Sequence, residues 1–205
     1  MIVKVCGIRS TEELELVERY ADFTGVVMDG SSRRFAGRER AREIVEVASI
    51  PVFVVLTCDS FEEAYKIAGE ISAENIQVHS QNFPAEDFQM LKEHGFRLIK
   101  AFRIPKHSED FRRDAVEIIR MIEQYRPDYP LLDTGKGTGE VHDLRVSREV
   151  AKAERIILAG GLNPGNVRHA VEFVKPLGVD VSSGVERDGR KDEALVRAFV
   201  KEVRG

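Results

Sequence analysis

Residues 156–185 read IILAGGLNPGNVRHAVEFVKPLGVDVSSGV, and this stretch decides the fold. A short apolar run at 156–159 ends in Gly160-Gly161, a helical segment spans 164–173, and a second β-branched run follows at 179–182. Strand, turn, helix and strand in so short a span form a crossover unit, and strands joined by a helix lie parallel. The second strand ends in Ser182-Ser183-Gly184, so both strands of the unit stop at small residues. Small residues let backbone N–H groups approach an anion closely. Ordinary tight turns are the bland alternative.

Working outward, the same alternation fills the chain. Further strands are expected at Ile2–Cys6, 24–28, Val52–Leu56, Asn75–Val78, 98–102 and 130–132. Ser10 with Glu13 three residues on is a capping-box signature, opening a helix with Leu14, Leu16, Val17 and Tyr20 as apolar positions. A second helix covers 38–48. Phe61, Ala64, Tyr65 and Ala68 recur at helical spacing, as do Phe111, Ala115, Ile118, Ile119, Ile122 and Tyr125. Pro84 introduces a helix over Ala85–Glu93, and others are expected at 143–153 and 192–203. About eight strand–helix units in 205 residues predict an α/β chain folded as a single-domain (β/α)8 TIM barrel over residues 1–205. An open doubly wound sheet is the rival, and such sheets usually carry fewer units.

Composition bounds the function. The chain is 42% hydrophobic and 32% charged, which is globular composition, and its formal net charge of −4 gives no general affinity for nucleic acid or acidic membranes. Two cysteines, Cys6 and Cys58, make no disulfide framework, so a reduced, cytoplasmic setting is expected. No apolar run approaches the roughly 20 residues that span a bilayer, and the N-terminus does not read as a signal peptide. No second His or Cys stands at metal-ligand spacing beside His79, so no metal site is expected. The oligomeric state stays open, with a homodimer as one option.

In a barrel the chemistry gathers at the C-terminal strand ends. Cys6 ends the first strand; it is either inert core or a thiolate base or nucleophile. Arg33 and Arg34 follow the second strand, as a solvated basic loop or as a fork for a carboxylate or phosphate. His79 follows the fourth and is either a structural histidine or an acid–base group. Asp133 follows the sixth, before Thr134-Gly135-Lys136-Gly137-Thr138-Gly139, and is either a turn residue or a general acid beside a glycine-rich loop. That loop lacks the full Walker A pattern. Gly160, Gly161, Ser183 and Gly184 stand where barrels usually hold phosphate. These residues point to a phosphorylated sugar, without naming it.

Taken together in order, five segments resemble the phosphoribosylanthranilate isomerase family of tryptophan biosynthesis. They are Lys4-Val5-Cys6-Gly7-Ile8, Ser32-Arg33-Arg34-Phe35, Gln77-Val78-His79, Leu131-Leu132-Asp133 with Gly137-Thr138-Gly139, and the paired ends 158–164 and 179–186. Arg33 stands where the family usually has Pro, Ser80 and Lys136 where it has Gly, and His142-Asp143-Leu144 where Phe-Asp-Trp is common. The resemblance implies an Amadori rearrangement of N-(5′-phosphoribosyl)anthranilate with Asp133 as acid and Cys6 as base. It further implies Arg34 on the anthranilate carboxylate and Gly161, Ser183 and Gly184 on the phosphate, with Gly160, Asp180 and His79 in binding or supporting roles. An Asp held protonated, by burial or by substrate charge, would suit the acid. Positive surroundings would suit the thiol.

Three rivals are weighed beside it. The related histidine-pathway isomerase typically has Asp at the first strand end, where Cys6 stands here. A Schiff-base aldolase would need Lys100 to project into the mouth. A non-catalytic phosphate sensor would not need both Cys6 and Asp133.

Overall fold

The computed structural model describes residues 1–135 and 141–205. Eight parallel strands close into a barrel in sequence order: β1 Ile2–Cys6, β2 Phe23–Val27, β3 Val52–Leu56, β4 Asn75–Val78, β5 Arg97–Arg103, β6 Tyr129–Asp133, β7 Ile157–Leu158 and β8 Gly178–Val181. Pairing of β1 with β8 closes the ring, with Lys4 opposite Asp180. The helices α1 Thr11–Glu18, α2 Arg38–Val47, α3 Phe61–Glu70, α4 Ala85–Glu93, α5 Phe111–Tyr125, α6 Leu144–Val150, α7 Val167–Val174 and α8 Glu193–Arg204 alternate with the strands. The fold is the (β/α)8 barrel expected from the alternation.

Period two sorts each strand into two faces. Outward residues such as Val54, Leu56, Leu98 and Phe102 join the helix faces in a large apolar layer. Inward residues Phe23, Phe53, Ile99, Ala101, Leu131, Ile157 and Ala159 form a second, smaller core inside the barrel. Phe23, Phe53 and Tyr129 meet there in tilted and edge-to-face contacts at centroid distances of 5.3–6.4 Å and plug its floor. With both faces buried, β3 reads as a continuous apolar run, VFVVL. Above the plug the inward positions turn polar: Lys4, Gln77 and Asp180 are buried there, and Cys6, His79 and Asp133 follow two residues further along their own strands or just past them.

The ends of elements depart from expectation where side chains intervene. The Ser10 hydroxyl accepts from the Glu13 N–H as the capping box requires, but Glu13 turns to the Arg9 N–H, 2.7 Å, and to the Lys191 N–H, 3.0 Å. Helix α7 begins three residues later than expected because Asn163 and Asn166 first close a turn. Asn166 Oδ1 accepts from the Asn163 N–H and Asn163 Oδ1 from the Gly165 N–H, each at 2.8 Å. After β8 a short 3-10 turn, Ser183–Val185, leads into a hairpin of β9 Glu186–Arg187 and β10 Arg190–Lys191 that the alternation did not foretell.

Candidate active site

A cavity of about 360 Å³ opens at the C-terminal ends of the strands. Cys6, Arg34, His79 and Asp133 line it, with Gly160, Gly161, Asp180 and Ser183 on the remaining wall. Residues far apart in sequence thus share one mouth, as the strand-end reading required. Arg34 lines the cavity, whereas Arg33 is exposed outside it, which separates the two arginines. Gly184 does not line the cavity; it stands behind Ser183 against the Leu162 carbonyl. Gly137-Thr138-Gly139 and Lys136 lie outside the described residues. A second cavity of about 570 Å³ adjoins the first, sharing Thr57, His79, Asp133 and Gly135 and reaching Arg103.

Cys6 is buried on β1 and faces Lys4, Asp180 and Lys191. Burial pushes its thiol up, and the nearby ammonium groups only partly offset this, so the thiol titrates above its usual range. The positive surroundings expected for the base are present but do not outweigh burial.

Across the mouth, His79 Nε2 lies 3.2 Å from Asp133 Oδ2. Gln77, one inward position below, places its Nε2 3.3 Å from His79 Nδ1. Burial pushes the Asp133 carboxyl up, but the bond and charge of His79 and the N–H groups of Gly135 and Thr134 outweigh it. Its pKa therefore falls below the usual carboxylate range, and burial by itself does not hold Asp133 protonated.

Arg34 is held by Glu186 of β9: Nε donates to Oε1 at 2.7 Å and Nη2 to Oε2 at 2.9 Å. Lys191 Nζ also donates to Glu186 Oε1, at 2.8 Å. The two cations hold the Glu186 carboxyl down to about 2 against the opposing pull of burial. Sequence reading missed Glu186 and Lys191 as site residues because the hairpin that carries them follows no periodicity. It also missed Lys4, although its position two residues before Cys6 placed it on the same strand face.

The loops after β7 and β8 meet closely. Gly160 has φ +85° and approaches Asp133 so tightly that a Cβ would lie 2.8 Å from Oδ1. At Gly184 a Cβ would stand 1.9 Å from the Leu162 carbonyl oxygen. The first N–H groups of the 3-10 turn, those of Ser183 and Gly184, precede its opening bond from the Val185 N–H to Ser182 C=O. Lys100 turns the other way. Its Nζ donates to the Ser80 and Ala101 carbonyls at 2.7 and 3.0 Å and lies over the Phe102 and Tyr125 rings, in the helix layer. It cannot form a Schiff base in the mouth. Among the described residues, no cluster of three or more His, Cys, Asp or Glu could hold a metal ion, and no helix is long and apolar enough to cross a membrane.

Fold and site together define a (β/α)8-barrel enzyme whose mouth pairs a thiol with a carboxylate–imidazole couple beside close-packed glycine loops. The sequence profile described as N-(5′-phosphoribosyl)anthranilate (PRA) isomerase matches residues 3–202, and the chain belongs to that family. The N-(5′-phosphoribosyl)anthranilate isomerase of Pyrococcus abyssi is 49% identical over 98% of this chain and 97% of its own. That of Methanococcus aeolicus is 44% identical over 100% and 98%. The structure of the Pyrococcus furiosus enzyme superposes with a TM-score of 0.93 at 46% identity, covering 100% of this chain and 98% of that one. A phosphoribosyl anthranilate isomerase in complex with reduced 1-(o-carboxyphenylamino)-1-deoxyribulose 5-phosphate superposes at 0.83, with 31% identity and both chains covered in full.

Proposed function

We propose that this barrel converts N-(5′-phosphoribosyl)anthranilate to 1-(2-carboxyphenylamino)-1-deoxyribulose 5-phosphate in tryptophan biosynthesis, with Asp133 and Cys6 as acid and base. The observation that carries the assignment is the placement of a buried thiol and a histidine-paired carboxylate on one cavity wall system. The acid protonates the furanose ring oxygen, and the C1′–oxygen bond opens to a Schiff base. The base takes the C2′ proton, and the resulting enolamine tautomerises to the ketone. The reaction is redox-neutral and draws on side chains alone.

Because His79 depresses the Asp133 carboxyl, the proton for ring opening belongs to the pair. The Gln77 amide can present either its nitrogen or its oxygen to His79 Nδ1, so it accommodates the imidazole both neutral and charged. His79, hydrogen-bonded to Asp133, holds the carboxyl that delivers the proton to the ring oxygen. Arg34 receives the anthranilate carboxylate with the part of its guanidinium that Glu186 leaves over. Gly160, Gly161 and Ser183 present backbone N–H groups to the phosphate, and Gly184 behind Ser183 lets the two loops meet closely enough to do so. Asp180 supports the base from β8. The substrate is a small phosphorylated molecule, no nucleic acid is involved, and one barrel over residues 1–205 suffices as the functional unit, alone or as a homodimer. Two free thiols, Cys6 and Cys58, suit the cytoplasm.

A fluorescence assay tests this. Phosphoribosylanthranilate is generated in place from anthranilate and phosphoribosyl pyrophosphate, and its loss is followed with wild type and with Cys6→Ser. Protein-dependent loss that vanishes in the variant is expected. A folded wild type that leaves the fluorescence unchanged would overturn the proposal.

A further inference from the structure

Lys4 is among the largest fully buried side chains of the molecule, and the acid–base scheme makes no use of it. On β1 it precedes Cys6 by two residues, so both side chains face the barrel interior. Its ammonium lies 3.1 Å from Asp180 Oδ1, on the partner strand and in register with Lys4. On the other side lies Gly25 of β2, which pairs with Cys6. A Cβ at Gly25 would stand 3.0 Å from Cys6 Sγ and 3.3 Å from Lys4 Nζ. The thiol and the ammonium therefore share the space above that glycine, and a Cβ there would press on both.

We propose that Lys4 is the positioning residue of the base: its ammonium, pinned by Asp180, hydrogen-bonds to the Cys6 sulfur and favours, against the pull of burial, the thiolate that takes the C2′ proton. The proposal rests on the reading of Cys6 as the base. Four charged groups face the sulfur: Lys4 from β1, Asp180 from β8, Lys191 from the hairpin and Arg34 from the loop after β2. His79 and Asp133 act one step away, on Asp180. Burial is the largest influence on the thiol and opposes ionisation; Lys4 is the largest that favours it, and Lys191 adds less. Burial likewise pulls the Lys4 ammonium down, but Asp180 and Cys6 more than restore it, so Lys4 stays charged. A lysine that served only to close the seam between β1 and β8 would need the Asp180 bond and nothing of the sulfur.

The two roles separate in the ionisation of the thiol. In a Cys58→Ser background, which leaves one thiol and the mouth intact, the rate of Cys6 alkylation by iodoacetamide is measured against pH. Lys4→Gln is expected to raise the apparent thiol pKa by about one unit or more, slowing alkylation at pH 7 about tenfold. The turnover profile should move with it, and KM should change less than about twofold. Lys4→Met, which keeps the length of the side chain without its charge, is expected to give the same upward shift and decides the matter if Lys4→Gln does not fold. A folded Lys4→Gln or Lys4→Met protein with the wild-type alkylation profile would overturn the proposal. Full turnover by Cys6→Ser would instead remove Cys6 as the base and leave the alkylation result standing.

Discussion

At the residue scale, the chemistry turns on groups whose environments disagree with their solution behaviour. Cys6 is pushed up by burial and Asp133 drawn down by His79. Each shift runs against the role proposed for the group: the base is made harder to ionise and the acid easier. Cys6→Ser and Asp133→Asn are each expected to lower kcat about 10²–10⁴-fold with little change in KM, as steady-state kinetics would show. Arg34→Ala should do the reverse. Loss of a charge-assisted fork of about 1.5–3 kcal/mol raises KM about 10–100-fold with kcat less affected. An unchanged KM would strike Arg34 from the carboxylate site. The sequence made these residues legible because each stands at a strand end. Spacing left Arg33 and Arg34 open, since adjacent residues in a loop have no fixed faces, and only the family resemblance selected Arg34.

At the element scale, two loops do the work that no single residue can. The loops after β7 and β8 touch where Gly184 meets the Leu162 carbonyl, and that carbonyl is backbone and cannot swing aside. Gly184→Ala is expected to part the loops, costing about 1–3 kcal/mol in a urea melt and raising KM for the phosphorylated substrate. Wild-type stability in that variant would mean that the loops yield freely. The eight strands and helices were readable because a buried strand and an amphipathic helix each impose a period on the sequence. The hairpin Glu186–Arg187 with Arg190–Lys191 was not. It is a pair of two-residue strands, too short for any period, yet it supplies the carboxylate that grips Arg34. The 3-10 turn before it was hidden for the same reason. Ahead of helix α7 the side-chain oxygens of Asn163 and Asn166 accept from nearby backbone N–H groups and shape residues 164–166 as a turn, a detail that apolar periodicity does not carry.

At the scale of the whole molecule, one departure from the family pattern couples the fold to pH. His142 stands where Phe is common; it is buried, bonded through Nε2 to Ser147 Oγ at 2.5 Å, and burial holds it down to about 4. It therefore packs as a neutral ring at neutral pH. An unfolded chain regains an ordinary histidine near 6.5, so below that pH the unfolded state binds a proton that the folded state refuses. Stability from this site is whole above pH 6.5 and declines as pH falls towards 4. The decline should amount to about 2 kcal/mol between pH 7 and pH 5. Urea melts of wild type and His142→Phe at both pH values are expected to show that much less acid sensitivity in the variant. Equal sensitivity would show that the ring takes up its proton without unfolding.

The sequence by itself determined the barrel, the order of its elements and the strand ends where Cys6, Asp133, His79 and the glycine loops stand. It could do so because periodicity and turn chemistry are local, and a ring of parallel strands converts strand-end position into a shared mouth. Only the tertiary structure decided which groups neighbour one another. It brought Lys4 to Asp180 across the seam that closes the ring, gave Arg34 to Glu186, set His79 against Asp133 and turned Lys100 away from the mouth. Those pairings join residues from different strands and loops, at separations where no sequence period operates. They also fix the ionisation of each group, because charge interactions depend on distance and burial, and neither exists until the ring is closed.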